Sequence, residues 1–190
     1  MAQESAEVVR CKLLPRSRPT RTVQERLALR YPWFLALWQR VLARLSPRSR
    51  LRQALLTRTL QNGLAAYDRG DIEIVLLAYD PDVEFIAPVA HGAQGTLGLA
   101  PIYRGREGYR ELDADWRSAW GTLRVEPQEL IDFGDRFLVI GQMIGRGRGS
   151  GVSISQDIAV LTTLNHAGRI IREQRYFDHG EALKAVGLAE

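Results

Sequence analysis

Apolar positions recur at helical spacing from residue 51 onward. Leu56, Leu60, Gly63, Leu64 and Tyr67 fall on one side of a long helix, and that side needs a cover. Gly70 and Asp71 end it. Glycine takes the left-handed conformation without a Cβ clash, and the Asp71 carboxylate is placed to accept from the free N–H groups of a following helix. Ile72, Val75, Leu76 and Tyr79 form the stripe of that second helix. With Ile74, Leu77 and Ala78 it keeps almost no polar face, so near-complete burial is expected. Asp80-Pro81-Asp82 then turns the chain into a strand, Val83 to Ile86. After Gly105, a third helix carries Tyr109, Leu112, Trp116 and Trp120 and stops at Gly121.

From Leu123 the period falls to two. Leu123, Val125, Ile131 and Phe133 alternate, Gly134-Asp135 turns the chain, and Phe137 to Gly145 returns. Strands Ser153 to Leu164 and Arg169 to Phe177 follow, joined by Asn165-His166-Ala167-Gly168. Asp178 and Glu181 have capping-box spacing for a last short helix closed by Gly187. Three helices, an early strand and a four-stranded meander make an α+β fold, and strands alternating on one side require a helical layer against that face. Two stretches interrupt this order. Ala87 to Arg104 is rich in Gly, Ala and Pro and longer than a simple connection, as lids are. Gly145 to Gly151 is glycine-rich but fits no dinucleotide-loop spacing, follows a strand and leads to no helix, so it reads as a hairpin.

The N-terminal part is of another kind. Residues 1–30, centred on Pro15-Arg16-Ser17-Arg18-Pro19, hold too few apolar groups to offset ordering entropy and are expected to be a disordered basic arm. Residues 31–50 form an amphipathic helical extension, with Phe34, Leu37, Trp38, Val41, Leu42 and Leu45 on one stripe, Pro32 in its first turn, and Arg30, Arg40 and Arg44 off the stripe. Docking on the chain's own domain or on a second chain is the favoured use. Contact of residues 31–45 with an anionic membrane surface is the alternative, and nucleic acid is disfavoured. Residues 51–190 then hold the whole α+β domain and are expected to fold without the extension.

Charge agrees with that boundary. Residues 1–50 carry 11 Lys/Arg against 3 Glu, whereas residues 51–190 carry 15 against 19 acidic groups, so the net charge of +4 belongs to the arm. The single cysteine, Cys11, excludes an intrachain disulfide, no apolar run reaches the roughly 20 residues of a membrane span, and the first residues lack the apolar centre of a secretory signal. A cytoplasmic location is expected. His91, His166 and His179 have no metal-ligand spacing, and no nucleophile stands beside a base, so neither metal nor cofactor is implied.

The order of helix, Gly-Asp, short apolar helix, Asp-Pro-Asp and Val-Glu-aromatic strand resembles the SnoaL-like proteins of the nuclear-transport-factor-2-like superfamily. The resemblance runs from Arg50 to Leu188 through AAYDRGD, YDPDVEF, YRGREGYRE, DFGDRFLVIGQMIGRGRGSG and YFDHGEAL. It implies a cone: a curved, mostly antiparallel sheet wrapped around three helices, with an apolar pocket inside and the N-terminal helical arm appended. It does not imply one reaction, because the superfamily holds cyclases, isomerases, epoxide hydrolases and proteins without chemistry. The tyrosine and aspartate of ketosteroid isomerases fall at Gly63 and near Phe85 to Ala87. The arginine and aspartates of the epoxide hydrolases fall at Gly141, Met143 and Arg175. Neither machinery is present.

By strand parity, the resemblance points Glu84 and Ile86, Met143, Gln156 and Ile158, and Glu173, Arg175 and Phe177 into the cone. Tyr67 and Trp116 reach in from the helices, and His91 and Tyr103 from the lid. SnoaL cyclases use a single aspartate inside the cone, and Glu84 and Glu173 stand nearest to it. The expected catalytic pair is Glu84 as base with Arg175 holding an oxyanion, or else a plain ion pair closing the pocket. The expected function is a pocket for a small apolar or polyketide-like molecule, and the alternative is a cofactor-independent cyclase or isomerase using acid–base chemistry. Leu138, Ile140 and Ile144, alternating on the outer face, suggest a homodimer.

Overall fold

The computed structural model describes residues 8–13, 19–87, 100–147 and 151–188. Leu56 and Tyr67 lie on α3 (Arg50–Asp68), whose N-cap Ser49 accepts from the Arg52 N–H. Gly70 ends it at φ 76°. The short apolar helix α4 (Ile72–Leu76) follows, with Val75 and Leu76 buried. The Asp71 carboxylate does not cap it, being drawn away to Arg21 and Arg69. Next come β2 (Tyr79–Ile86), β3 (Ile102–Arg104) and α5 (Gly105–Ala119). The meander is β4 (Trp120–Asp132), β5 (Arg136–Gly147), β6 (Ser153–Leu164) and β7 (Ile170–Tyr176), closed by α6 (His179–Ala185). Trp120 opens β4 instead of ending α5, and part of the expected lid is the strand β3 paired with β2.

The strands form one seven-stranded sheet in the order β1-β4-β5-β6-β7-β2-β3, where β1 is Val9–Lys12. Every pairing is antiparallel except β2 with β7, which sets Phe85 beside Glu173 and Glu84 beside Arg172. Register breaks in β4 between Trp120 and Thr122 and between Pro127 and Glu129 bend the sheet around the helices, as bulges do. Gly141 lies where any Cβ would run into the backbone at Glu126 and Pro127.

The inner face and the helices bury Val83, Phe85, Tyr109, Leu112, Trp116, Met143 and Ile158 in one cluster. The outer face is covered too. Leu138 and Ile140 are buried with Ala159 against Ala182 of α6 and its C-cap Val186, each large apolar side chain contributing about 2 kcal/mol. This corrects the argument for a homodimer, since two of the three residues offered as exposed are under α6. His179 is fastened rather than solvated, its Nε2 lying 3.0 Å from the Gly141 carbonyl and 3.2 Å from that of Ile158.

The N-terminal segment departs most from expectation. Val9–Lys12 pairs with β4, and α1 (Val23–Arg30) opens on a full capping box between Thr22 and Glu25. Disorder is therefore not the state of the described part of residues 1–30. Its order comes from partners far along the chain, which composition does not reveal. The extension is α2 (Pro32–Arg44), and it is packed on the domain through Gln39 and Leu42. Its buried side is rotated roughly a quarter turn from the expected stripe, leaving Leu37 and Val41 exposed.

Candidate functional site

Inside the cone lies a cavity of about 310 Å³. Its walls come from α3 and α5, from α4 and from the inner face of β4 to β7, and helices α1 and α2 supply a roof through Gln24, Ala28, Leu35, Trp38 and Leu42. Three fastenings hold that roof. Arg21 makes two bonds of 2.6 and 2.7 Å to Asp71, and Arg69 reaches Glu25 at 2.9 Å, tying α1 to the end of α3. At α2, the Gln39 backbone rests on Gly168, whose φ of 75° and lack of a Cβ both serve the contact. Arg52, wholly buried, donates to the carbonyls of Leu42 and Leu45 and clamps Asp132 through Nε and Nη2 at 2.6 and 2.8 Å.

The polar part of the cavity sits on β7. Glu173 and Arg175, two residues apart and therefore on one face, meet at 3.3 Å between Oε2 and Nη2. Tyr79 Oη donates to Glu173 Oε1 at 2.8 Å. Burial, and then Glu173, pushes the Tyr79 phenol well above its ordinary value, and burial does the same to Tyr109. Burial raises Tyr67 more modestly, against the pull of Arg175. Burial alone would lower Arg175, but Glu173 and the three tyrosines outweigh it, and the net direction is up. At neutral pH the site is thus one guanidinium, held by Glu173, with three protonated phenols around it.

Several polar atoms in this wall are unspent. Trp116 Nε1, Asn62 Oδ1 and Asp113 Oδ1 are buried without a hydrogen bond, although Asp113 Oδ2 accepts from Arg117 at 2.7 Å. Among the described residues the hydroxyls of Tyr67 and Tyr109 also make no hydrogen bond. The buried atoms of Trp116, Asn62 and Asp113 cost free energy unless something satisfies them, and all five side chains line one largely apolar space.

Of the residues expected to line the pocket, Tyr67, Trp116, Met143, Ile158, Glu173 and Arg175 do so. Phe177 packs edge-on against Trp116 behind the wall. Gln156 has the right parity but lies at the exposed end of β6, bonded to the Phe177 carbonyl. Tyr103 is buried in the core with its hydroxyl on Asp115 at 2.7 Å. His91 lies outside the described residues. Glu84 and Ile86 are corrections, because the parallel register with β7 turns Val83 and Phe85 inward, and Glu84 meets Arg104 on the other face at 3.3 Å. Glu84 and Arg175 therefore do not pair. Sequence reasoning missed Tyr79, Tyr109, Asn62 and Asp113, which it treated as core stripe or left unmentioned, and the α1 half of the roof; docking of the second helix was expected, but not its place over a cavity. The signals for the roof were the uncovered side of α3 and the amphipathic stripe of α2. No group of three or more metal-ligating side chains occurs among the described residues, and no described helix is long and apolar enough to cross a membrane.

The fold has many relatives. The chain matches the solved structure of TerC co-crystallised with polyporic acid at 27% identity and TM-score 0.56, covering 69% of this chain and 95% of that one. It matches a protein of unknown function, described as NTF2-like, from Burkholderia pseudomallei K96243 at 24% identity and TM-score 0.57, over 67% and 93% of the two chains. A third match is a protein named as a SnoaL-like polyketide cyclase from Jannaschia sp. CCS1, at 20% identity and TM-score 0.54, over 76% and 94%. No curated protein matches the sequence. The profile of the SnoaL-like domain matches residues 60–173, from the middle of α3 to Glu173 on β7, and leaves both roof helices outside. These solved structures share the fold, described for one of them as NTF2-like, and the domain match, spanning more than half of the sequence, places the chain in the SnoaL-like family.

Proposed function

We propose that the cavity binds a small, mainly apolar molecule bearing carbonyl or hydroxyl oxygens. The observation that carries this reading is the set of unspent donors at Tyr67, Tyr109 and Trp116 in a largely apolar space, where Arg175 is already matched by Glu173 and Asp113 by Arg117. A neutral oxygen acceptor gains hydrogen bonds there that nothing else supplies, and the exposed Arg58, which also lines the cavity and forms no ion pair among the described residues, accommodates an acidic group. The TerC complex supports polyporic acid as a first probe. Titration of the whole chain with polyporic acid, followed by quenching of tryptophan emission, tests the reading. Saturable quenching that weakens about tenfold in the double variant Tyr109→Phe with Trp116→Phe supports it. Quenching that never saturates, or is unchanged in that variant, removes it.

Glu173 favours a second reading, the acid–base chemistry of the polyketide-cyclase type. Each carboxylate oxygen accepts one bond, from Tyr79 or Arg175, and keeps a second lone pair. A carbonyl held by Tyr109 or Arg175 would present its acidified C–H to that oxygen, with the enolate charge gathered on the donors. Glu173→Gln separates the two readings. It abolishes turnover of a substrate while sparing its binding if the second holds, and changes neither product nor affinity by much if the cavity only binds.

A further inference from the structure

The roof has two apolar faces, and only one of them meets the cavity. On α2, Leu35, Trp38, Gln39 and Leu42 face inward, while Trp33, Leu37 and Val41 stand 66%, 54% and 44% exposed on the far side. Their spacing of four residues makes a straight outward ridge. Arg40 and Arg44 lie on the same side of the helix by that spacing, three residues beyond Leu37 and Val41, and Arg30 precedes Trp33 by three. All three arginines are exposed, and among the described residues none of them forms an ion pair. On the adjoining α1, Val23 and Leu27 are exposed as well. The whole of residues 1–50 carries 11 Lys/Arg against 3 Glu.

We infer that this outer face of the roof docks on an anionic lipid surface. An apolar ridge with arginines on the same face matches acyl chains below and phosphate headgroups above, the arginine stems lying along the apolar layer while the guanidinium groups reach outward. Trp33, at the first turn, has the amphipathic ring that settles at the headgroup level. Charge argues against a second copy of this chain, since a two-fold contact would press these cationic faces together. It argues for lipid over nucleic acid as well, because phosphodiester backbones offer nothing to Leu37 and Val41. The inference is independent of what fills the cavity.

Sedimentation of the full chain with vesicles tests it, comparing pure phosphatidylcholine with a mixture containing about one third phosphatidylglycerol. Binding is expected to the mixed vesicles alone, to fall steeply with added salt, and to weaken about tenfold or more in Arg40→Glu with Arg44→Glu, each arginine near an anionic surface being worth roughly a factor of five. Trp33→Ser with Leu37→Ser is expected to lose binding at an unchanged unfolding midpoint. If that variant misfolds, Trp33→Phe replaces it: brominated lipids should quench the emission of the unmodified chain, and this variant should lose most of that quenching while still sedimenting. Equal binding to both vesicle types, or variants that bind like the unmodified chain, overturn the inference. So does light scattering that shows a dimer dissolved by Leu37→Ser in a chain that ignores vesicles, which would assign the face to a second copy.

Discussion

Arg52 and Arg175 each leave water for a carboxylate, and the two sites are built on opposite terms. Around Arg52 and Asp132, side-chain exposure is 0% and 1%, the pair is bidentate, and the remaining donors end on the carbonyls of Leu42, Leu45 and Gly134. Every hydrogen-bonding direction of the guanidinium is spent on backbone or carboxylate, so the group acts as a rivet between α2, α3 and the β4–β5 turn. Around Arg175 and Glu173 there is one contact of 3.3 Å, exposure of 15% and 10%, and a cavity on one side. The first arrangement leaves no room for a ligand and no reason for one. The second leaves donors over, beside Tyr67, Tyr109 and Trp116, and this incompleteness is what marks it as a site.

Breaking each pair should separate these roles. The largest effect is expected for Arg52→Met, which strands a buried Asp132 and frees two α2 carbonyls at once. About 3 to 5 kcal/mol should be lost in denaturant unfolding. Arg175→Met should cost less, about 1 to 3 kcal/mol, because water entering the cavity can reach Glu173. Adding Glu173→Gln to it should restore much of the stability without restoring ligand binding, a result no rivet would give. Gly168→Ala should cost about 1 to 3 kcal/mol through the strained φ and the clash with Gln39. Because it touches only the seat of α2, hydrogen exchange should rise in the roof more than in the sheet.

The smallest effect is pH-dependent. The bonds from Arg21, and then from Arg69, hold the Asp71 carboxyl below its ordinary value against the opposing effect of burial. A depressed folded-state pKa means that this stabilisation is complete above the unfolded value of about 4 and is lost as pH falls through the lower folded value. Acidification from pH 5 to about 3 should therefore lower the exchange protection factors of α1, which should hold steady between pH 5 and 8, an effect that Arg21→Ala should weaken.

The order of elements in the cone was legible because each depends on neighbours in sequence: Gly70 at the end of α3, the stripe of Tyr109, Leu112 and Trp116, the alternation of β5 and β6. Parity failed on β2. Val83, Phe85 and Ile86 are all apolar, so the pattern does not choose a face unaided, and the choice is made by the register with Glu173 on a strand far along the chain. Local chemistry favoured the observed answer, since Val83 and Phe85 bury at no polar cost and a lone Glu84 does not. The order of α1 and the face by which α2 docks were illegible for a related reason. These rest on Arg21 meeting Asp71, 50 residues away, and on Arg52 meeting Asp132, 80 residues away, and composition counts such residues only as charge. On α2 the twofold apolar character was visible, but not which side faced inward.

The parallel pairing of β2 with β7 also governs when the molecule can form. Tyr79 and Glu173 are 94 residues apart, and the strands between them complete the meander before β2 has anything to pair with on that side. A pairing closed over so long a loop is reached late and slowly. During synthesis, Val83 and Phe85 can pack on Tyr109 and Leu112 of α5 early, but the β7 edge of β2 stays unpaired until the last strand has left the ribosome, and the wall bearing Glu173 and Arg175 is among the last parts of the cone to exist. A chain truncated before residue 170 would keep the hairpins of β4 to β6 and still lack the site altogether, exposing an apolar sheet edge prone to aggregation.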